Sequence, residues 1–286
     1  WFIQAQDVGI GNWKDYQSYN SASYIAEVEN KIYCVTSGSL FYLDKEDNTI
    51  NRMSKVTGLS DIGIKHVAYS EELKITVITY ENCNIDLIKN NQIINISDIK
   101  RKEITGLKLI NSITLRNGIA YLSCTFGLVL IDLEKEEIKD TYTIEKNGNI
   151  LEINDCAIIY DIQILAATSL GLYVGDISSI LNDPDNWLLY GVEMNAINVI
   201  RNDNIGCVLY SNNQESYLDI FYPPPFNIPL FTDPGLEKIT YTNGALHKLY
   251  DDSLILTNDG VTILVSINDG KIINTNYSIS DSDNTV

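Results

Sequence analysis

The sequence lacks long apolar runs and has few basic residues. None of its hydrophobic stretches approaches the roughly 18–20 residues of a membrane-spanning helix. It has 20 Lys and Arg against 38 Asp and Glu, and its formal net charge is −18 at pH 7. A charge of this sign opposes binding to a phosphate backbone or an anionic surface. We therefore expect no nucleic-acid partner and no membrane span in this segment.

Residues that commonly bind metals are also scarce and widely spaced. There are two histidines, His66 and His247, and neither has a carboxylate or thiol at ligand spacing. The five cysteines lie in or beside apolar runs, and no two form a CxxC pair. We therefore expect buried free thiols, and no metal or cofactor.

The sequence contains none of the common catalytic or nucleotide-binding motifs. It has neither the GxSxG of a serine hydrolase nor a glycine-rich phosphate loop, and it has no EF-hand calcium loop. The acidic stretches read as solvated strand connections. The sequence predicts a protein that is not an enzyme and has no catalytic residues.

What the sequence does have is a repeat. Aligning one apolar run per unit places successive runs 45, 43, 44, 46 and 43 residues apart, at Leu40, Ile85, Leu128, Leu172, Leu218 and Val261. This period is close to the roughly 40–45 residues of a four-stranded propeller blade.

The pattern inside each unit agrees with this interpretation. Short alternating runs separated by Asn-Gly, Ser-Gly and charged turns are typical of β-hairpins. The first unit predicts strands at 22–28, 31–36, 39–44 and 49–53, and the third at 110–116, 119–124, 127–132 and 137–142. Helical periodicity is nearly absent, and only Ile177–Leu181 predicts a helical turn. The fold class expected is all-β, a β-propeller of four-stranded antiparallel blades.

Six repeats are visible, and one further strand, Trp13–Tyr19, precedes them. Propellers protect their edges by joining the first and last blades. The spare strand therefore predicts a seven-bladed propeller whose seventh blade is incomplete, and a complete six-bladed ring is the alternative. Residues 1–9 resemble the end of a secretory signal. We expect residues 10–286 to form the propeller domain of a longer, exported multidomain protein.

A polar cluster interrupts the strand-like stretch YENCNIDLI, Tyr80–Ile88. The repeat places Glu81-Asn82 at the connection between the second and third strands of the second unit, where turn-forming residues are expected. If the domain has a ligand or partner face, we expect it on the rim formed by these connections. The candidate residues are Glu81, Asn82, Phe126, Asn258 and Asp259.

Several stretches resemble the PorZ proteins, exported components of the type IX secretion system of Bacteroidetes. They include GNWKDYQSYNSA, AEVENKIYCVTSGSLFYLDKEDNTI, the turn KVTGLSD, VAYSEELKITVITYENCNIDLI and FGLVLIDLEKEEIKDTYTI. The similarity is dense from Gly11 to Tyr190. The GLS turn and the GL-x-x-x-D strands also resemble the regulator propellers of hybrid two-component sensors.

The PorZ resemblance implies a non-enzymatic scaffold that takes part in attaching cargo at the outer-membrane surface. Its implied partners are other secretion-system proteins, with surface lipopolysaccharide reached through the full-length protein. The alternative is a periplasmic glycan-sensing propeller of a two-component signalling protein.

Overall fold

The described part of the chain is built almost entirely of β-strands. The computed structural model describes residues 16–191, 193–201, 206–212, 215–221, 237–239, 245–249, 253–258, 261–268 and 271–273. Within these ranges there are six four-stranded sheets, and in each of them the strands lie side by side in chain order.

The first three sheets use the strands up to Tyr142. The first contains β1 (Ala22–Val28), β2 (Lys31–Thr36), β3 (Ser39–Asp44) and β4 (Ile50–Met53). The second contains β5 (Ile64–Ser70), β6 (Ile75–Tyr80), β7 (Ile85–Lys89) and β8 (Gln92–Ile96). The third contains β9 (Ile110–Arg116), β10 (Ile119–Cys124), β11 (Gly127–Asp132) and β12 (Glu137–Tyr142).

A small hairpin, β13 (Glu145–Lys146) and β14 (Asn149–Ile150), separates the third and fourth sheets. The fourth sheet contains β15 (Ile153–Ile159), β16 (Gln163–Thr168), β17 (Gly171–Asp176) and β18 (Trp187–Tyr190). The fifth contains β19 (Asn195–Arg201), β20 (Gly206–Asn212), β21 (Glu215–Phe221) and β22 (Glu237–Ile239). The sixth contains β23 (Ala245–Leu249), β24 (Ser253–Asn258), β25 (Val261–Asn268) and β26 (Lys271–Ile273).

The repeat predicted from the sequence is confirmed. Each of the six aligned apolar runs forms the third strand of a sheet. The predicted strands of the first and third units match the observed ones, except that β4 begins at Ile50 instead of at residue 49. The all-β class and the four-stranded antiparallel blades are therefore correct, while the number of blades in a closed ring stays a prediction.

Helical structure is confined to short turns in the described residues. The helix α1 (Asp98–Arg101) follows β8, and 3-10 turns lie at Lys55–Thr57 and Pro184–Asn186. The helical turn predicted at Ile177–Leu181 is wrong, because this stretch forms hydrogen-bonded turns and the 3-10 turn begins only at Pro184. Of the predicted strand Trp13–Tyr19, residues 13–15 lie outside the described residues, and residues 16–19 form no strand.

The GL-x-x-x-D pattern has a physical explanation at both of its ends. Gly127 and Gly171 open the third strands of their sheets with φ values of +129° and +132°, which residues with a side chain rarely adopt. At the other end, the carboxylates of Asp132 and Asp176 accept hydrogen bonds from main-chain N–H groups two residues later, at 3.1 Å and 2.8 Å. The glycine sets the entry into the strand, and the aspartate holds the following turn.

The chain forms two compact units, each with its own apolar core. The first contains the described residues up to Ile110 with Leu115–Ala120 and Ile131–Ile138, and the second contains Asn111–Thr114, Tyr121–Leu130 and the described residues from Lys139 onward. The first core includes Val35, Leu40, Ile64, Val67, Ile78 and Tyr80. The second includes Leu165, Leu172, Tyr190, Val199, Val208 and Tyr210.

A β-bulge recurs on the first strand of five sheets. The register shifts lie between Ala22 and Tyr24, Ile64 and His66, Ile153 and Asp155, Ala196 and Asn198, and Leu246 and Lys248. A bulge places one extra residue opposite its partner strand and redirects the side chain. The recurrence makes the bulge part of the repeat.

At two of these bulges, at Lys65 and Asn154, the side chain connects one sheet to the next. In the first unit, Lys65 Nζ donates to the carbonyl oxygen of Ile110 at 2.7 Å. In the second unit, Asn154 Nδ2 donates to Ala196 O at 2.7 Å, and Asn111, one repeat before Asn154, donates to Ile153 O at 2.9 Å. Each carbonyl precedes the corresponding position of the following sheet, so these bonds fix the spacing between neighbouring first strands.

Candidate functional site

The turn between β6 and β7 contains two of the candidate residues, Glu81 and Asn82. The main-chain N–H of Glu81 donates to Gly63 O at 2.7 Å, which ties the turn to the residue before β5. Cys83 has a φ of +61°, and its N–H donates to Tyr80 O at 2.9 Å. The two candidates are thus adjacent on a hydrogen-bonded turn, but their side chains have different surroundings.

Asn82 is held within a polar network centred on Asp61. Its Nδ2 donates to Asp61 Oδ2 at 2.7 Å, and Lys100 Nζ donates to the same oxygen at 2.5 Å. Burial alone would raise the pKa of Asp61, but the hydrogen bonds from Lys100, Asn82 and the main chain of Ile62 outweigh it and lower the pKa to about 2. Asp61 is therefore ionised at neutral pH.

A second carboxylate, Asp86, continues the network inward. It is fully buried, and it accepts hydrogen bonds from the Tyr80 hydroxyl at 2.5 Å, Ser60 N at 2.8 Å and Asn95 Nδ2 at 2.8 Å. Burial raises the pKa of Tyr80, and the bond to Asp86 acts in the same direction. Together Asp61 and Asp86 bind the connection between the first two sheets to the body of the second.

This network explains the polar residues of Tyr80–Ile88 mainly as structural. Asn84 donates to Asp61 Oδ2 at 3.3 Å, and its own Oδ1 accepts from Asn95 at 3.0 Å. The sequence interpretation of Glu81-Asn82 as a strand connection is confirmed. The amide nitrogen of Asn82 is occupied by its hydrogen bond to Asp61. A role for Asn82 in contacting a partner stays a prediction.

Glu81, by contrast, lies at the edge of a pocket of about 420 Å³ in the first unit. The wall is formed by residues from the first strands of the first two sheets and from their strand connections. Its polar and aromatic members are Ser21, Ser23, Tyr24, Ser37, Lys65, His66 and Glu81. Of the five candidates, Glu81 lines this pocket, and the ligand face expected on the rim stays a prediction.

His66 is the most unusual group of this wall. Its Nε2 lies 3.3 Å from Ile110 O, and its ring meets the Tyr24 ring edge-on with 5.4 Å between centroids. Burial lowers the pKa of His66 to about 4, with the charge of Lys65 acting in the same direction, so the imidazole is neutral at pH 7. Its Nδ1 is buried, and no described residue offers it a hydrogen bond.

The other three candidates belong to later repeats of the chain. Phe126 lies in the turn between β10 and β11 and is half-buried in the second unit. Asn258 ends β24, where the structure describes the main chain. Asp259 lies outside the described residues. The grouping of these residues with Glu81 stays a prediction.

Sequence reasoning missed a second concave surface, which is formed by the end of α1 and the segment that follows it. Its volume is about 650 Å³, and it is lined by Lys100, Arg101, Lys102, Glu103, Ile104, Thr105 and Lys108. The signal available was a cluster of basic residues in an acidic chain. Several of these cations are engaged within the fold, because Lys100 binds Asp61, Arg101 binds Asp98 at 3.3 Å, and Lys108 Nζ donates to Lys100 O at 2.9 Å.

The described residues bring together no group of three or more His, Cys, Asp or Glu side chains that could hold a metal ion. All five cysteines are buried and none forms a disulfide bond with another, as the sequence predicted. Among the helices that the structure describes, none is long and apolar enough to be a candidate membrane span.

Comparison with known proteins gives one family match. The family described as the N-terminal β-propeller domain of PorZ, of the type IX secretion system, matches residues 32–188. No curated protein matches the chain significantly.

Solved structures share the fold at low sequence identity. PorZ of Porphyromonas gingivalis, described as an essential bacterial surface component of the type IX secretion system, superposes with a TM-score of 0.70 at 22% identity. That match covers 87% of this chain and 32% of PorZ, so the chain spans about a third of the length of that protein.

Two more distant structures resemble the chain in fold. The β-propeller domain of Myceliophteria thermophila Cps50 (Swd1) gives a TM-score of 0.60 at 8% identity, covering 88% of this chain and 85% of that one. The extracellular domain of a putative one-component system from B. thetaiotaomicron gives a TM-score of 0.51 at 12% identity, covering 89% of this chain and 40% of that one.

Proposed function

The chain belongs to the family of PorZ N-terminal β-propeller domains, and from that premise we propose that it is a non-enzymatic interaction module of an exported type IX secretion system component. In this proposal the module takes part in attaching secreted cargo at the outer-membrane surface. The observation that carries the proposal is the family match, which extends from β2 into β18 and so spans most of the first four sheets.

The geometry of the second sheet supports a scaffold. The carboxylates of Asp61 and Asp86 are bound by several partners each, and they hold turns in place. Such a frame positions surface turns for recognition, which is a common use of propeller folds.

The proposed partners are other proteins of the same secretion system. Lipopolysaccharide would be reached through the full-length protein, because the net charge of −18 opposes direct capture of an anionic glycan by this domain. The glycan-sensing alternative is not favoured, since the likeness to the one-component system is a likeness of fold at 12% identity.

The experiment that tests this function is an in-frame deletion of the coding region for residues 22–273 in the source bacterium. Cargo protein is then quantified on the cell surface and in the culture medium. We expect cargo to leave the surface fraction and to return when the intact gene is supplied in trans. Cargo that stays anchored in the deletion strain would refute the proposal.

A further inference from the structure

Three side chains in the wall of the pocket beside Glu81 donate hydrogen bonds into the protein. Ser23 Oγ donates to Val35 O at 3.3 Å, and Ser37 Oγ donates to Asn20 O at 3.0 Å. Lys65 Nζ donates to Ile110 O at 2.7 Å. The two serine hydroxyl groups thus leave oxygen lone pairs toward a ligand, while the Lys65 ammonium keeps two further N–H donors.

His66 adds a further acceptor to the same wall. Ile110 O can only accept, so the Nε2 that contacts it at 3.3 Å carries the proton. A neutral imidazole protonated on Nε2 has an unprotonated Nδ1, and this atom is buried without a partner among the described residues. The imidazole thus has an unused acceptor, which lies beneath the surface of the wall.

Glu81 supplies a negative charge at the rim of the pocket. None of the described cations pairs with its carboxylate, whereas Lys65, the cation of the opposite strand, is drawn onto Ile110 O. The Tyr24 ring, 36% exposed, provides an aromatic surface beside these acceptors. The net charge of −18 favours the approach of cations over anions.

We propose that this pocket binds a primary ammonium group, namely a lysine side chain presented by a partner protein. The ammonium has three donors and no acceptor, so it matches a wall that offers acceptors. Glu81 neutralises its charge, and the Tyr24 ring contributes a cation–π contact. This assignment goes beyond the proposed function, because a scaffold could attach cargo through another surface and leave the pocket empty.

The test uses N-acetyl-lysine N-methylamide as the probe and the norleucine analogue, which lacks only the ammonium, as its neutral control. Binding to the isotope-labelled 286-residue chain is followed by NMR. We expect the lysine probe to shift the amide signals of Gly38, Lys65 and Glu81. The norleucine analogue should bind about tenfold more weakly or worse, since it loses both the ion pair and the cation–π contact.

Two variants locate the site. Glu81→Gln should weaken the lysine probe about fivefold, the upper range for an exposed ion pair. Glu72→Gln removes the same charge from the exposed turn at the opposite end of β6 and should leave the affinity unchanged. Both substitutions replace exposed side chains, and thermal melting checks that both variants fold.

Three results would overturn the proposal: equal binding of the norleucine analogue, equal losses in the two variants, or no binding of the lysine probe. Each of them leaves the cargo experiment unaffected, so the failure of the pocket and the failure of the proposed function can be told apart.

Discussion

At the scale of single residues, two buried carboxylates explain most of the polar character of the second repeat. Asp61 and Asp86 are separated by 25 positions in the chain, yet both bind the β6–β7 turn region and its surroundings. The sequence identified Glu81-Asn82 as a turn from its residue types alone. It could not identify the partners, because Asp61, Asn95 and Lys100 come close only when β5, β8 and α1 are in place.

Replacing Asp61 by Asn should destabilise the protein by about 1–2 kcal/mol at pH 7, because Lys100 and Asn82 lose an ionised acceptor. The folded-state pKa of about 2 lies below the ordinary value of 3.8, so the stabilisation by Asp61 is present above pH 4 and is lost as the pH falls toward 2. Urea unfolding at pH 7 and at pH 2 measures the difference between the two proteins. The difference in the free energy of unfolding between the original protein and Asp61→Asn should be smaller at pH 2 than at pH 7.

The matched control is Asp98→Asn, which removes an exposed carboxylate paired with Arg101. We expect its effect to stay below about 0.5 kcal/mol. If Asp61→Asn is as mild as Asp98→Asn at pH 7, the network does not stabilise the fold in the way described.

The hydroxyl of Tyr80 provides a second residue-scale test. Tyr80→Phe removes a hydrogen bond to a fully buried carboxylate and should cost about 1–3 kcal/mol. Tyr173→Phe removes a buried hydroxyl that has no hydrogen-bond partner among the described residues, so it should be neutral or slightly stabilising. Urea unfolding measures both, and equal losses in the two variants would contradict the account.

At the scale of elements, the sequence predicted the strands well because their ends are set locally. Gly127 and Asp132 mark the start and end of β11, and Asn117-Gly118 turns the chain before β10. The bulges were not predicted, since a register shift depends on the facing strand. The same limit explains α1, whose four residues carry too short a pattern to be distinguished from a loop.

We predict that any side chain at Gly127 destabilises the fold. An added Cβ would collide with the carbonyl oxygen of Tyr142, and the φ of +129° is itself unfavourable for alanine. Gly148 has a φ of +76° but open space around it. Gly148→Ala should therefore cost about 1 kcal/mol from backbone strain alone, and Gly127→Ala about 2 kcal/mol more. Thermal or urea unfolding that finds equal costs would show that the close approach is unimportant.

The bulge residue Asn154 tests the connection between neighbouring sheets in the second unit. Asn154→Ala removes the hydrogen bonds to Ala196 O and Asn195 Oδ1, and we expect a loss of about 1–2 kcal/mol with faster amide exchange in β19. Asn149→Ala, on the exposed hairpin strand β14, should change neither quantity. Unchanged exchange in β19 would mean that the bulge side chain does not link the sheets.

At the scale of the whole molecule, the repeat of about 44 residues and the family match both indicate a β-propeller domain. The period predicted the number of described four-stranded sheets, because every unit carries its own turns and its own alternating strands. Function could not be predicted from the repeat in this way, since propellers serve many activities and the sequence has no catalytic motif. The functional claim rests on membership in the PorZ domain family.

That claim is tested most directly by quantitative cross-linking and affinity purification of the tagged full-length protein from outer membranes. Tagged protein with the propeller intact is compared with protein from which residues 22–273 are removed. We predict that the intact protein recovers other type IX secretion proteins, with cross-links to surface lysine and carboxylate side chains of this domain, and that recovery falls when the domain is absent. Equal recovery from both proteins, with no cross-link to the domain, would contradict its role as an interaction module.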